Sequence, residues 1–298
     1  MRDAGRKFFQ QDSSMNRRPF LSFLSGAALF LAAVAGSPAL AEGGHHEKRP
    51  EVHGWSFAGF FGSYDKPQLR RGFKVYKEVC STCHSIKMLA FRNLSQPGGP
   101  EFTEKEVAEL AATYKVKDGP NDAGEYYDRP ARPSDRFPPP FANEQAARAA
   151  MSGAYPPDMS VLAKARGYGR GFPTFLLDAL PGLSYQEHGV DYIASLLEGY
   201  RDPPHDVKVP DGQYYNLYMI GNRIGMPPPL SDGAVTYDDG SPQTVDQYSK
   251  DVTAFLMWVA EPHLESRKHI GQGVLAFLVV FALLLYFTKR KIWSNVSH

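Results

Sequence analysis

The stretch Cys80-Ser81-Thr82-Cys83-His84 decides how this 298-residue chain is interpreted. Two thiols three residues apart, followed directly by an imidazole, form the Cys-x-x-Cys-His pattern of covalent haem attachment. On a helical path the two cysteines and His84 lie on the same side, so two thioether bonds and one iron ligand can converge on one porphyrin. The pattern therefore predicts a haem tethered by Cys80 and Cys83 and ligated by His84.

The residues before the motif have the pattern of a helix. Asp65-Lys66-Pro67 supplies a cap with a proline in the first turn, and Leu69, Phe73, Tyr76 and Cys80 recur at four- and three-residue spacing. This apolar face predicts a helix that can lie against the porphyrin.

Two other chemistries use a Cys-x-x-Cys pair. A zinc site needs four ligands, and because the chain has only two cysteines, histidines would have to complete it. A thioredoxin-like dithiol opens a helix that follows a strand, whereas here a helical pattern precedes the cysteines. Both alternatives are weaker than haem, although the motif alone leaves them open.

Residues 1–41 have the three-part form of an export signal. Basic Arg17-Arg18 precedes an apolar stretch from Phe20 to Ala35, and an Ala-x-Ala pattern ends at Ala41. A membrane anchor is the weaker interpretation because the apolar stretch is short for a bilayer. Met15 would begin a more ordinary signal and is an alternative start.

A second apolar segment predicts one transmembrane helix. Ile270 to Thr288 is almost wholly apolar, and about 19 residues at 1.5 Å each span about 28 Å, close to a hydrocarbon core. Lys289-Arg290-Lys291 and Trp293 follow as a basic and aromatic interfacial belt. The chain is accordingly divided into a signal, a periplasmic haem domain, a membrane anchor and a cytoplasmic tail, at residues 1–41, 42–265, 266–289 and 290–298.

Helix caps and apolar stripes recur through the region between the two apolar ends. They predict helices after Thr103, Asn143, Asp158 and Thr244, and one over Val190 to Leu197. Three connections are rich in proline, namely Arg129 to Phe141, Pro203-Pro204 and Met226 to Pro229. The one strand-like piece is Val235 to Asp238. We therefore predict a mostly α fold, a haem domain with long proline-rich loops and one C-terminal transmembrane helix.

A haem that only transfers electrons usually carries a second axial ligand, and a thioether sulfur there raises its potential. Met88 is one turn from His84 on the same face and cannot reach the opposite side of the ring. Core packing accounts for three methionines in predicted helices, Met151, Met159 and Met257. Met226 is best placed because three prolines after it would hold its backbone, and Met219 in an apolar loop is the alternative.

These features together resemble the cytochrome c1 family in its bacterial form, the haem subunits of quinol:cytochrome c oxidoreductase, the bc1 complex. The resemblance covers nearly all of the mature chain. It rests on residues 71–85, 146–150 with Pro156-Pro157-Asp158, 225–229, and 251–258 leading through Ala260-Glu261-Pro262.

The resemblance implies a cytochrome c-like domain with one covalent haem c. The implied site residues are Cys80 and Cys83 as tethers, His84 and Met226 as iron ligands, and Arg166 and Tyr192 beside the haem propionates. Two departures stand out. Met151-Ser152-Gly153 replaces the common Asn-Asn-Gly, and the extra cysteine pair of some bacterial relatives is absent.

The function implied by the resemblance is electron transfer from a Rieske iron-sulfur protein to a soluble c-type cytochrome in a respiratory or photosynthetic chain. The partners implied are cytochrome b, the Rieske subunit, the soluble cytochrome and the lipid bilayer, with the haem domain on the periplasmic side of the inner membrane. Such a subunit works within an oxidoreductase and has no stand-alone catalysis. The alternatives are a cytochrome subunit of a terminal oxidase or nitric oxide reductase, and an exported haem sensor or peroxidase.

Charge gives limited information about partners. A formal net charge of +1 argues against a nucleic-acid partner. A set of acids interrupted by lysines is a candidate docking surface for a basic cytochrome, or more simply a solvated face: Glu101, Glu104, Glu106, Glu109, Asp118, Asp122 and Glu125.

Overall fold

The computed structural model describes residues 48–166 and 188–295. The α-helices in these two ranges are α1 (Lys66–Glu78), α2 (Glu104–Ala112), α3 (Glu144–Ala150), α4 (Leu162–Ala165), α5 (His188–Glu198), α6 (Val245–Ala260) and α7 (Leu264–Ile292). Two small antiparallel sheets pair β1 (Lys115–Asp118) with β2 (Tyr127–Pro130), and β3 (Tyr214–Tyr215) with β4 (Arg223–Ile224). The predicted mostly α class is confirmed. The predicted signal lies outside the described residues.

Helix α1 forms as its sequence predicts. The Asp65 carboxylate caps it by accepting a hydrogen bond from the Gln68 amide at 3.3 Å, and proline occupies the first turn. Leu69, Phe73 and Tyr76 are all buried. The apolar face inferred from the spacing therefore lies in the core.

The core is organised around the crossing of α1 over α6. A Cβ on Gly72 would lie only 2.0 Å from the Asp251 carbonyl oxygen, so the two backbones meet where only glycine fits. Beside this contact the Arg71 guanidinium donates two hydrogen bonds to the buried Asp251 carboxylate, from Nε at 2.8 Å and from Nη2 at 3.2 Å. Tyr237 and Gln247 donate further hydrogen bonds to the same carboxylate, both at 2.9 Å. Helices α4 and α5 also pack on α6.

Most of the other predicted helix starts are confirmed. Thr103 and Glu106 form a reciprocal capping box at the start of α2, with hydrogen bonds of 2.6 and 3.2 Å. Asn143 caps α3, and Thr244 caps α6. The cap predicted at Asp158 is wrong, because α4 begins only at Leu162 and the Asp158 carboxylate is used elsewhere.

The strand predicted over Val235 to Asp238 is also wrong. Val235 is fully buried, and its amide and carbonyl both pair with the Tyr248 hydroxyl on α6 instead of with another strand. The sequence missed the β1–β2 hairpin because each strand has only four residues and both are mostly polar, so the alternating exposure of β1 involves one apolar side chain, Val116.

Proline-rich chain covers one side of the core without regular secondary structure. Residues 131–143 contain no helix or strand, apart from an isolated bridge between Arg136 and Ala90. Phe137 fixes this connection because it is buried, with its ring centroid 4.1 Å from that of Phe91. The predicted proline-rich loop is thus held by a buried aromatic ring and by backbone hydrogen bonds to residues 89–92.

Helix α7 contains the predicted membrane segment. The stretch Leu264–Asn295 is long and apolar enough to cross a membrane, with a mean hydropathy of 2.4 in a window of which nothing is buried. Its side chains are exposed from Gly273 onward. The helix therefore extends a few residues beyond both limits of the predicted anchor, 266–289.

The α1–α6 crossing generates a prediction for Gly72→Ala. The added methyl group would collide with the backbone carbonyl of Asp251, so α1 must shift away from α6. We expect a loss of about 1–3 kcal/mol in unfolding free energy, even though alanine favours helix formation. Thermal unfolding in detergent measures the loss, with Gly54→Ala as the control because a Cβ there meets nothing within 4 Å. Equal unfolding temperatures for the two variants would contradict a close backbone contact between α1 and α6 at Gly72.

Candidate haem site

The Cys-x-x-Cys-His motif follows directly on α1. Cys80–Thr82 forms a single 3-10 turn, and the backbone amides of Cys83 and His84 both donate to the Cys80 carbonyl, at 3.2 and 2.9 Å. The hydroxyls of Ser81 and Thr82 turn back onto carbonyls at the end of α1, at 2.7 and 2.8 Å. The two cysteines are free thiols, partly buried. The helical path expected from the sequence is thus present.

His84 is held in one tautomer. Its side chain is buried, and Nδ1 lies 2.9 Å from the Pro157 carbonyl oxygen. A carbonyl only accepts, so Nδ1 carries the hydrogen and Nε2 keeps its lone pair. Burial lowers the pKa of His84, against the opposing effects of the Pro157 carbonyl and Asp158, which favours the neutral imidazole that a metal requires.

The Asp158 carboxylate joins the residues after the motif to the segment that carries Pro157. We call its hydrogen bonds the Asp158 clasp. Its carboxylate accepts hydrogen bonds from the Ser85 hydroxyl at 2.7 Å and from the amides of Lys87 and Ser160 at 3.0 and 2.9 Å. Burial alone would raise the pKa of Asp158, but these hydrogen bonds hold it below its usual value. The clasp therefore depends on an ionised carboxylate.

Met226 is presented by a short turn after β4. The Tyr200 hydroxyl donates to the Met226 carbonyl at 3.0 Å, which fixes the backbone from one side. A Cβ on the preceding Gly225 would lie 3.6 Å from Ala154 Cβ, so this turn contacts the segment that leads to Pro157. The stretch from Ala154 to Pro157 thus touches the candidate ligand turn at one end and His84 at the other.

Met219, the alternative ligand, has a different surrounding. The Tyr192 hydroxyl lies 3.5 Å from the Met219 sulfur. The hydroxyl uses one of the two lone pairs of the thioether sulfur, which leaves the other for a metal. Met226 and Met219 therefore both stay candidates for the second ligand.

The remaining methionines have ordinary structural positions. Met88 is 65% exposed, and Met257 is fully buried in α6. Met151 is the C-cap of α3, and Met159 is buried just before α4, whereas the sequence predicted both inside helices. None of these positions changes the choice between Met226 and Met219.

Arg166 and Tyr192, the two residues that the resemblance places beside the propionates, interact electrostatically. Burial raises the pKa of the Tyr192 phenol, and the nearby positive charge of Arg166 acts in the opposite direction. Arg166 itself is exposed at the end of α4. A guanidinium and a phenol can each donate a hydrogen bond to a carboxylate such as a haem propionate.

The structure gives no support to zinc or to a reactive dithiol. The described ranges contain no cluster of three or more His, Cys, Asp and Glu side chains that could hold a metal. Burial, with a contribution from Cys83, raises the pKa of the Cys80 thiol to about 12, whereas redox-active cysteines have lowered values. Free thiols beside an imidazole with a fixed tautomer fit haem c instead.

Sequence reasoning missed three residues that shape this site. Pro157 enters the sequence analysis only as part of a resembling segment, Asp158 is predicted there as a helix cap, and Tyr200, whose hydroxyl binds the Met226 carbonyl, has no predicted role. Their roles depend on contacts across 26 to 73 residues of chain. No local pattern signals such contacts.

Comparisons with known proteins identify the family to which the chain is similar. Residues 55–296 match the family described as the Cytochrome C1 family. The chain is 54% identical over 279 residues to "Cytochrome b/c1" of Bradyrhizobium diazoefficiens, covering 93% of this chain and 40% of that protein. It is 52% identical to "Cytochrome c1" of Blastochloris viridis, covering 93% and 97%. It is 43% identical to "Cytochrome c1-2, heme protein, mitochondrial" of Solanum tuberosum, covering 80% and 84%.

The Asp158 clasp predicts a pH-dependent defect in Asp158→Asn. Because the folded-state pKa lies below the usual 3.8, the ionised carboxylate stabilises the fold fully above the unfolded-state pKa and loses this effect as pH falls through the folded-state pKa. We expect a deficit on the order of 1–2 kcal/mol at pH 7 that shrinks below about pH 4.

Thermal unfolding of the parent protein and of Asp158→Asn at several pH values measures this deficit in unfolding free energy. Asp122→Asn, in the exposed turn between β1 and β2, is the matched control and should match the parent throughout. A deficit that persists unchanged in acid would show that Asp158 acts through shape and not through charge.

Proposed function

This chain belongs to the cytochrome c1 family, and we propose that it carries one covalent haem c on the cysteines and histidine of the Cys80–His84 motif, with Met226 as the second axial ligand. It is the haem-carrying electron-transfer subunit of a bc1 complex. The bound haem supplies reversible one-electron chemistry at its iron. The residues of the chain determine how that group is held, oriented and kept from water.

The observation that carries the proposal is the hydrogen bond between His84 Nδ1 and the Pro157 carbonyl. It fixes the proton on the nitrogen that faces protein and leaves Nε2 as the only ring atom able to bind a metal. The same bond holds the ring plane, so the imidazole need not reorient when the charge of the site changes. This arrangement suits any metal ligand, and the Cys-x-x-Cys-His spacing makes that metal a haem iron instead of zinc.

Met226 is suited to the second position because its backbone is fixed from three directions. Three prolines follow it, the Tyr200 hydroxyl binds its carbonyl, and the preceding Gly225 packs on Ala154. A thioether ligand is neutral and weakly donating, and it therefore favours the reduced state. No disulfide is needed to hold this turn.

Arg166 and Tyr192 would bind the haem propionates. The electrostatic effect of Arg166 on the partly buried Tyr192 phenol supports the pairing. The positive charge of Arg166 would also reduce the desolvation free energy lost when a negatively charged propionate lies close to the protein interior. We assign both residues a positioning role.

The proposed partners follow from family membership. Cytochrome b and a Rieske iron-sulfur protein would be neighbours in the complex, with a soluble c-type cytochrome as electron acceptor. We propose residues 42–265 as the periplasmic domain, 266–289 as the single anchor in the inner membrane and 290–298 as the cytoplasmic tail, consistent with the apolar surface of α7.

The acidic residues considered as a docking surface are largely neutralised by neighbours. Four of them form ion pairs: Glu101 with Lys66, Glu106 with Arg70, Glu109 with Lys105, and Asp118 with Arg129. Paired exposed charges produce little net field. The geometry therefore favours a solvated face over a docking site for a basic cytochrome.

Ligation by Met226 generates a prediction with two variants. Met226→Ala should leave the sixth position open, so that the reduced protein binds carbon monoxide and its midpoint potential falls on the order of 0.1 V or more. Met219→Ala is the matched control and should resist carbon monoxide with a potential within about 0.05 V of the parent. The opposite pattern would assign the ligand to Met219. Carbon monoxide binding by the unmodified protein would instead support a haem sensor or peroxidase.

Assembly tests the function itself. Mild detergent extraction of the tagged full-length chain should recover a b-type haem and the electron paramagnetic resonance signal of a Rieske cluster in one particle, with quinol:cytochrome c reductase activity. The family match underlies this expectation. Recovery of copper-containing oxidase subunits in place of these two centres would contradict it.

A further inference from the structure

The most exposed large apolar side chain outside α7 in the described ranges is Phe61, at 82%. It lies in the segment Ala58-Gly59-Phe60-Phe61-Gly62, which we call the Phe60–Phe61 loop and which contains no charged or polar side chain. The rings of Phe60 and Phe61 meet edge to face, with centroids 4.8 Å apart. Two phenylalanines at the tip of an uncharged loop are unusual on a water-facing surface.

The loop has a defined shape. The Ser63 amide donates to the Ser56 carbonyl at 3.0 Å and closes its base. A Cβ on Gly62 would lie 2.0 Å from the Ala58 carbonyl oxygen, so the tight turn requires glycine there. The exposure of Phe61 is therefore a property of a fixed turn.

Three positions on one face of α7 fasten the loop and the residue after it to the helix. Glu265 accepts a hydrogen bond from the Tyr64 amide at 2.7 Å. The Lys268 ammonium donates to the carbonyls of Phe57 and Gly62 at 2.6 and 3.0 Å, and the Gln272 side chain donates to the Phe60 carbonyl at 3.0 Å. Spacings of three and four residues place these contacts along one line of the helix, which the loop follows for about 10 Å.

The loop reaches the place where α7 becomes wholly apolar. Gln272 is the last partly covered position on the helix, and every described residue after it is exposed. The basic residues Arg267 and Lys268 lie just before this point and are engaged by Glu261 and by the loop carbonyls. Phe60 and Phe61 thus stand beside the point where the wholly exposed, apolar part of α7 begins.

We propose that the Phe60–Phe61 loop inserts into the outer interface of the lipid bilayer as a second membrane contact beside α7. The occupant of this surface is phospholipid, because the loop is continuous with the apolar surface of α7 and offers aromatic carbon without hydrogen-bonding side chains. Two contacts restrict the tilt of the haem domain on its anchor, whereas one helix alone would let the domain pivot. The inference rests on the proposed anchoring by α7.

Site-specific photocrosslinking of the full chain in native membranes tests this contact. Phe61→p-benzoylphenylalanine places a photoreactive ring at the exposed tip, and the haem spectrum verifies that the variant is assembled. Tyr126→p-benzoylphenylalanine is the matched control, because Tyr126 is a comparably exposed aromatic residue, at 71%, beside β2. We expect mass spectrometry to find a phospholipid adduct at position 61 and at least tenfold less at position 126.

Every other result overturns the proposal. A crosslink from position 61 to another polypeptide would make the loop a protein interface, and no adduct would leave it in water. Equal lipid adducts at both positions would show non-specific labelling. Extraction with alkaline carbonate tests α7 separately: retention in the membrane without a lipid adduct at position 61 rejects the loop contact alone, whereas release of the chain rejects the anchor as well.

Discussion

The close crossing of α1 over α6 is the constraint on which the rest of the structure depends. Gly72 admits the Asp251 backbone, and Arg71 pairs with the Asp251 carboxylate at the same point. The haem motif follows α1 within two residues, so the direction of α1 sets where the thiols and His84 emerge. Because α6 continues through a short break into α7, one contact relates the cofactor site to the membrane anchor.

The segment from Ala154 to Asp158 positions the residues of the cofactor site, a role that helices and strands have in other sites. It has neither helix nor strand, yet Ala154 packs near Gly225, Pro157 orients His84, and Asp158 clasps the residues after His84. Prolines limit its conformational freedom before folding, so less entropy is lost in ordering it. A site built from such segments can keep both candidate ligands still with few helices around it.

The amino-terminal part of the domain links the region of α5 to the membrane side. The Glu51 amide donates to Ser195, and the Trp55 indole donates to the buried Asp191 carboxylate, both at 2.8 Å. The same strand of chain then reaches α7 through Tyr64 and the Phe60–Phe61 loop. The amino-terminal segment therefore joins α5, which carries Tyr192, to the beginning of α7.

The sequence by itself determined the starts of α1, α2, α3 and α6 and the apolar helix α7, and it predicted the two tethers and the ligand His84, because each depends on residue types at short spacing. It also narrowed the second ligand to two methionines. Only the tertiary structure decided that Pro157 sets the His84 tautomer, that Asp158 is a clasp and not a helix cap, and that Val235 pairs with Tyr248 instead of a strand. These outcomes depend on partners far apart in the chain. Each of these residues could take several local roles, and packing selects one of them.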